Sequence, residues 1–192
     1  MSNKPFCWTP PRSQKAAQSV RWSDWLRRSE HLAGGIQRRL QCEATEVEVI
    51  RESWQSLDDE ALDAQLTRLR IALRLERQGI DRLRRLRIEA LAAVSVAAQR
   101  TLERLPYRAQ VLAALAMHEG MVVQMAPGEG KTLAVAMVAV LRGWRGLPCH
   151  IITSNDYLAQ RDVELMRPMF ERCGVRAAAA VHGLSPEQMR AA

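Results

Sequence analysis

Met121-Val122-Val123-Gln124-Met125-Ala126-Pro127-Gly128-Glu129-Gly130-Lys131-Thr132 is the stretch on which the reading of this chain turns. A short apolar run leads into a glycine turn. Lys-Thr follows, and a long apolar-periodic segment begins at Leu133. Strand, glycine turn, Lys-Thr and helix in that order is the arrangement of a phosphate-binding loop. Glycine allows backbone N–H groups to turn inward around an anion with no Cβ in the way. A helix N-terminus adds unpaired N–H donors and partial positive charge. Lys131 is then placed to meet β- and γ-phosphate oxygens, and the Thr132 hydroxyl to meet Mg²⁺.

The strict pattern G-x-x-x-x-G-K-[ST] is not met, because Met125 stands where its first glycine belongs. The relaxed form, with Gly128 and Gly130 before Lys131-Thr132, is the one helicase-like motor ATPases use. The ordinary alternative is a glycine-rich turn with a solvated lysine. Composition weighs against it. The chain has only three lysines, Lys4, Lys15 and Lys131, and every other cationic position is arginine. A sequence so biased keeps lysine where a compact ammonium fits between phosphate oxygens.

Outward from the loop, the sequence alternates apolar runs with helical periodicity. A helix over about 107–118 leads to the predicted strand 121–125, and another runs from Thr132 to about Trp144. A second predicted strand is His150–Ser154, followed by a helix over 156–172 closed by Gly174. Val175–Val181 is a third candidate strand. The expected fold class is therefore α/β: a partial RecA-like P-loop domain of about three parallel strands with helices, preceded by an α-helical N-terminal region. So narrow a parallel sheet leaves its edges bare and reads as the first half of a larger nucleotide-binding domain.

Three segments are expected. Residues 1–54 form an irregular and helical extension, 55–104 a helical hairpin, and 105–192 the truncated nucleotide-binding domain. In the first, residues 1–20 look irregular, and Trp8, Trp22 and Trp25 suit docking to this chain's own core or to a partner. Gly34-Gly35 is expected to break a helix ending near His31 from one starting near Ile36. In the second, Ser56 before Leu57-Asp58-Asp59-Glu60 reads as a helix entry. Leu62, Leu66, Leu69 and Leu73 share one helical face. Gly79 marks the break before a second helix over about Asp81–Glu103. Pro106 ends it.

The net charge is +7, with 47% hydrophobic and 26% charged residues. That balance is ordinary for a globular chain and admits anionic lipid or nucleic acid as a partner. Arg82, Arg84, Arg85 and Arg87 form the densest basic cluster. With no aromatics interleaved it gives little support to base stacking, and a solvated helix face is the competing reading. Cys7, Cys42, Cys149 and Cys173 show neither C-x-x-C nor zinc spacing. No run approaches the ~20 apolar residues that cross a bilayer, and the N-terminus carries no secretory h-region. A reduced, cytoplasmic chain is expected, with membrane contact at most peripheral.

Two motifs carry a family resemblance. Met125–Thr132 resembles the Walker A loop of SecA, the motor ATPase of bacterial preprotein translocation. Thr153-Ser154-Asn155-Asp156-Tyr157-Leu158-Ala159-Gln160-Arg161-Asp162 resembles the segment that follows that family's second strand, and Arg167-Pro168-Met169-Phe170 and Gly174 continue it. The likeness covers about residues 55–190. It implies that amides of Gly128, Glu129 and Gly130 hold the β-phosphate of ATP, that Lys131 neutralises β- and γ-oxygens, and that Thr132 binds Mg²⁺. It implies that Gln110 reads the adenine edge. The implied partners are ATP, unfolded preprotein and the membrane translocation channel on the cytoplasmic face of the inner membrane. Pro127 departs from the family's threonine and removes a hydroxyl and an N–H. The acidic Walker B strand and the second motor domain fall outside these residues, so the chain alone is expected to hydrolyse ATP negligibly. A DEAD-box-like nucleic-acid helicase fragment and a non-catalytic interaction module from a truncated gene are the competing readings. The Asn-Asp-Tyr-Leu element makes nucleic acid the less favoured partner.

Overall fold

The structure, a computed structural model, describes residues 22–76 and 79–183, with side chains from residue 34 onward. Two compact units divide the chain, residues 1–37 and 38–192. Of the first, the described part is helical backbone from Trp22. The expectations for the tail 1–20 and for the three N-terminal tryptophan side chains lie outside the described residues.

Six helices make up the described residues: α1 Trp22–Trp54, α2 Asp59–Leu75, α3 Ile80–Leu102, α4 Arg108–His118, α5 Lys131–Trp144 and α6 Asp156–Arg172. The expected break at Gly34-Gly35 does not occur, and α1 runs through both glycines. Each glycine costs about 1 kcal/mol in a helix interior. Further along, Leu40, Ala44 and Val47 are buried at helical spacing and hold the following turns in place.

The helical hairpin forms as its periodicity requires. Leu62, Leu66, Leu69 and Leu73 are the buried residues of α2, which packs against α3. The helix starts two residues later than Ser56 suggests: Asp58 is the cap, its carboxylate accepting the Ala61 N–H at 2.7 Å. Gly79 caps α3, as expected of a break. From Leu86 to Ala98 nearly every residue of α3 is buried, and from Ala90 onward all but Ser95 are apolar, so this stretch forms the centre of the unit. Its alanines, Ala90, Ala92, Ala93, Ala97 and Ala98, allow α2, α5 and α6 to pack on it at once.

The predicted parallel sheet is not there. Among the described residues there is no strand, so the α/β, RecA-like fold class is corrected to an all-helical one. Met121–Met125, His150–Ser154 and 175–181 are irregular and share no backbone hydrogen bonds with one another. Val122 is fully exposed and Ile152 is 93% exposed. An apolar run signals what a segment could bury, but a strand exists only where a neighbour completes its ladder. Here each run instead begins at a helix stop. After α4, α5 and α6 a glycine with positive φ (Gly120, Gly146, Gly174) closes the last turn. The residue after it donates back to the carbonyl five positions earlier, as in Val175 N–H to Phe170 at 2.9 Å.

Candidate phosphate-binding loop

The loop 126–130 lies between the exit of α4 and the first turn of α5, which pack against each other. Its shape comes from Gly128 and Gly130, at φ +84° and +74°. Gly130 is the N-cap of α5 and supplies no side-chain cap. The carbonyl of Gly130 accepts the Leu133 and Ala134 amides at 3.1 and 3.3 Å, which starts the helix. Among the described residues no hydrogen-bond partner is recorded for the N–H groups of Gly130, Lys131 and Thr132. Three successive amides without protein acceptors thus stand at the end of α5 where the helix dipole is positive.

Each sequence-predicted site residue can be placed. Gly128, Glu129 and Gly130 form the turn, with Gly128 exposed over open space. Lys131 opens α5, is exposed, and donates from Nζ to the Ala126 carbonyl at 2.9 Å. The Glu129 carboxylate accepts the Ala126 N–H at 2.7 Å. The loop thus holds itself through Ala126: its cation meets the carbonyl of that residue and its anion meets the amide. Thr132 is half-buried in the first turn, and its hydroxyl has no hydrogen-bond partner among the described residues. Among the described residues no group of three His, Cys, Asp or Glu side chains is spaced to hold a metal ion.

Gln110 is brought to the loop although it lies 20 residues before Gly130. It is 5% exposed, on the first turn of α4. Its Oε1 accepts the Tyr107 N–H at 3.0 Å and its Nε2 donates to the Glu129 carbonyl at 2.8 Å. A Cβ on residue 130 would lie 2.1 Å from that Nε2. Glycine is therefore required at 130 both by backbone conformation and by the packing of Gln110.

In the second matched segment, Asn155 caps α6 through the Leu158 N–H at 2.9 Å. Leu158 is half-buried. The Asp156 carboxylate accepts the His182 N–H at 2.9 Å.

Sequence reading missed the charge network at the far end of α4 from the loop. Arg84 and Arg87 are not a solvated face: both turn onto Glu43, which is fully buried, and Arg39 joins them. Arg39 and Arg87 also bind Glu119, the C-cap of α4, at 2.5 and 2.9 Å. The Arg39 hydrogen bond, with that of Arg87, pulls the Glu119 carboxyl down to about 2. Burial, aided by Arg87, Arg142 and Arg145, lowers the adjacent His118 to about 4. The available signal was Glu43 itself, a carboxylate on the helical stripe of Leu40, Ala44 and Val47.

Comparison with known proteins identifies the family. The SecA DEAD-like domain family matches residues 27–192. Protein translocase subunit SecA 2 of Magnetococcus marinus is 50% identical over 101 residues, 53% of this chain and 16% of that protein. SecA 2 of Chlorobium chlorochromatii is 37% identical over 168 residues, 86% of this chain and 25% of that protein. SecA 1 of Alkaliphilus metalliredigens is 38% identical over 149 residues, 78% of this chain and 16% of that protein. The chain thus corresponds to a quarter or less of the length of these relatives. With most of its length matched, the chain belongs to the SecA family, through the SecA DEAD-like domain.

Proposed function

We propose that this chain is a nucleotide-binding portion of a SecA-type motor ATPase, with ATP·Mg²⁺ as its ligand. The observation that carries this reading is that the Gly130, Lys131 and Thr132 amides, at the start of α5 with the Lys131 ammonium, have no acceptor among the described residues. That donor set suits a diphosphate or triphosphate tail. The two positive-φ glycines keep Cβ atoms out of the turn.

Lys131 would exchange the Ala126 carbonyl for phosphate oxygens, a stronger acceptor for an ammonium. The Thr132 hydroxyl, without a partner among the described residues, would hold Mg²⁺, which would supply charge neutralisation at the phosphates. Bound ATP supplies the phosphoryl-transfer energy, and this chain's share is to grip and orient its anionic tail. The relatives are named as translocase subunits. By that kinship the parent activity is preprotein translocation, at a membrane channel reached from the cytoplasm. No described helix is long and apolar enough to cross a membrane.

Equilibrium dialysis of the 192-residue chain against ATP·Mg²⁺ tests the reading. Saturable binding that Lys131→Ala weakens at least tenfold is expected. Binding that the substitution leaves unchanged, or none by the folded chain, would refute it.

A further inference from the structure

We infer that Pro127 and the Glu129 side chain are positioning residues of the loop. They set residues 126–129 as a type II turn before any ligand arrives, and the free amides that follow owe their placement to it. The inference rests on the nucleotide-binding reading above. It gives a task to the proline by which this chain departs from the family's threonine.

Two dihedral angles fix the turn type. The Ala126 carbonyl accepts the Glu129 N–H at 3.3 Å, the i to i+3 contact of a β-turn. At the second position the ring of Pro127 holds φ at about −65°. At the third, Gly128 has φ +84°. Among types I, II, I′ and II′, only type II combines those signs. It is also the type that favours proline and then glycine at these two positions.

Glu129 closes the turn a second time. Its carboxylate accepts the Ala126 N–H at 2.7 Å, so both backbone groups of Ala126 are tied to residue 129. A carboxylate is the stronger kind of acceptor for a backbone N–H. The Ala126 carbonyl keeps the Glu129 N–H, so Lys131 can leave it for phosphate without stranding it. Gly130 follows directly, and its carbonyl begins α5. The loop is therefore held by the turn on one side and by the first helical turn on the other. The Gly130, Lys131 and Thr132 amides stand where the two meet.

Threonine at 127 would bring a hydroxyl and an N–H, but it would also release the backbone. Its φ would range over the α and β regions. Ala126 would lose the restriction that a following proline imposes, and Gly128 has no Cβ to limit it. A ligand that finds its loop shape only part of the time binds more weakly by that fraction. Proline and the Glu129 carboxylate remove the alternative shapes in the free chain, which raises affinity for any polyphosphate tail.

The test measures dissociation constants for ATP and inorganic tripolyphosphate on the full chain and three variants. Pro127→Thr should weaken both ligands about two- to fivefold, the usual worth of proline at a compatible position, even though it adds two hydrogen-bonding groups. Glu129→Gln and Glu129→Ala carry the same charge and differ in the acceptor. The glutamine variant should bind both ligands about two- to fivefold more tightly than the alanine variant. Tighter or equal binding by Pro127→Thr, or equal binding by the two Glu129 variants, would overturn the inference and leave the nucleotide-binding reading intact. An unaltered chain that binds neither ligand would overturn both. Amide hydrogen exchange reads the same turn with no ligand present. The Ala126 N–H should exchange more slowly than its intrinsic rate, Glu129→Ala should abolish that protection, and Glu129→Gln should keep part of it. An Ala126 amide unprotected in the unaltered chain would defeat the inference.

Discussion

Arg87 and Glu43 form a salt bridge in the interior, joining α3 to α1, with Glu43 wholly shielded from solvent. Neither could be buried alone at acceptable cost, and each removes the other's penalty only in part. Glu43 also takes Arg84 at 2.6 Å and Arg39 at 3.2 Å. Glu43→Ala leaves Arg87, which is 7% exposed, with Glu119 as its remaining carboxylate, and should destabilise the chain by about 3 kcal/mol, the lower end for a broken buried pair. Glu43→Leu combined with Arg87→Met replaces the pair by apolar volume and should recover most of that loss. Urea denaturation of the two variants measures the contrast. Equal stability of the single and double variants would show that the pair does not couple.

The same network makes stability depend on acid in two separate windows. Glu119 is held at about 2, principally by the Arg39 hydrogen bond. Its ionised form is favoured by folding, so its contribution is complete above the ordinary carboxylate range and disappears as pH falls toward 2. His118 is depressed to about 4, first by burial. The unfolded chain takes up that proton from about pH 6.5, the folded chain only near 4, so stability falls across this interval and no further below it. Discounted for the solvent that reaches His118, the loss is on the order of 1–2 kcal/mol. His118→Asn should flatten the melting temperature between pH 6.5 and 4 while leaving the decline below pH 4. A slope that persists unchanged in that variant would assign the upper window to another group.

The hairpin was legible because its signals are local. The stripe Leu62-Leu66-Leu69-Leu73 sets one helical face, Gly79 divides the helices, and both appear where the sequence puts them. The stop at Gly174 was legible for the same reason. The sheet was misread because strands are a property of pairs. Val122 and Ile152 look like strand residues, but nothing in a run of apolar side chains states what lies beside it. Residues that act over a distance were hidden similarly. Gln110 had a family-implied role and no visible route to Glu129. Arg87 looked like one of four solvated arginines until Glu43 was placed against it.

Gly128 and Gly130 should respond differently to alanine. Both have positive φ, so each substitution carries backbone strain of about 1–2 kcal/mol. At 128 the new Cβ meets open space, but at 130 it meets Gln110 Nε2 at 2.1 Å. Gly130→Ala should therefore cost more stability than Gly128→Ala, and it should lose nucleotide binding at concentrations where Gly128→Ala retains some. Adding Gln110→Ala to Gly130→Ala should return part of the stability, because the collision is removed while the strain stays. Thermal melts and dialysis on the three variants decide this. Indistinguishable melting temperatures for the two single variants would mean that Gln110 yields freely.

Cysteine reactivity reports on the packing of α5 against α6. The Trp144 indole N–H donates to the Cys173 carbonyl at 2.8 Å in the interior, and burial pushes the Cys173 thiol up to about 12. Cys42 and Cys149 are exposed. Only thiolate reacts with iodoacetamide, and only where the reagent can reach it. At pH 8, peptide mass spectrometry should find Cys42 and Cys149 alkylated within minutes and Cys173 protected by at least a hundredfold. Trp144→Phe leaves the Cys173 carbonyl without its buried donor, at a cost of about 1–3 kcal/mol. It should speed Cys173 labelling by roughly 5- to 150-fold, tenfold for each 1.4 kcal/mol lost, without altering the rates at Cys42 and Cys149. Rapid labelling of Cys173 in the unaltered chain would mean that the α5–α6 interface opens far more readily than its burial implies.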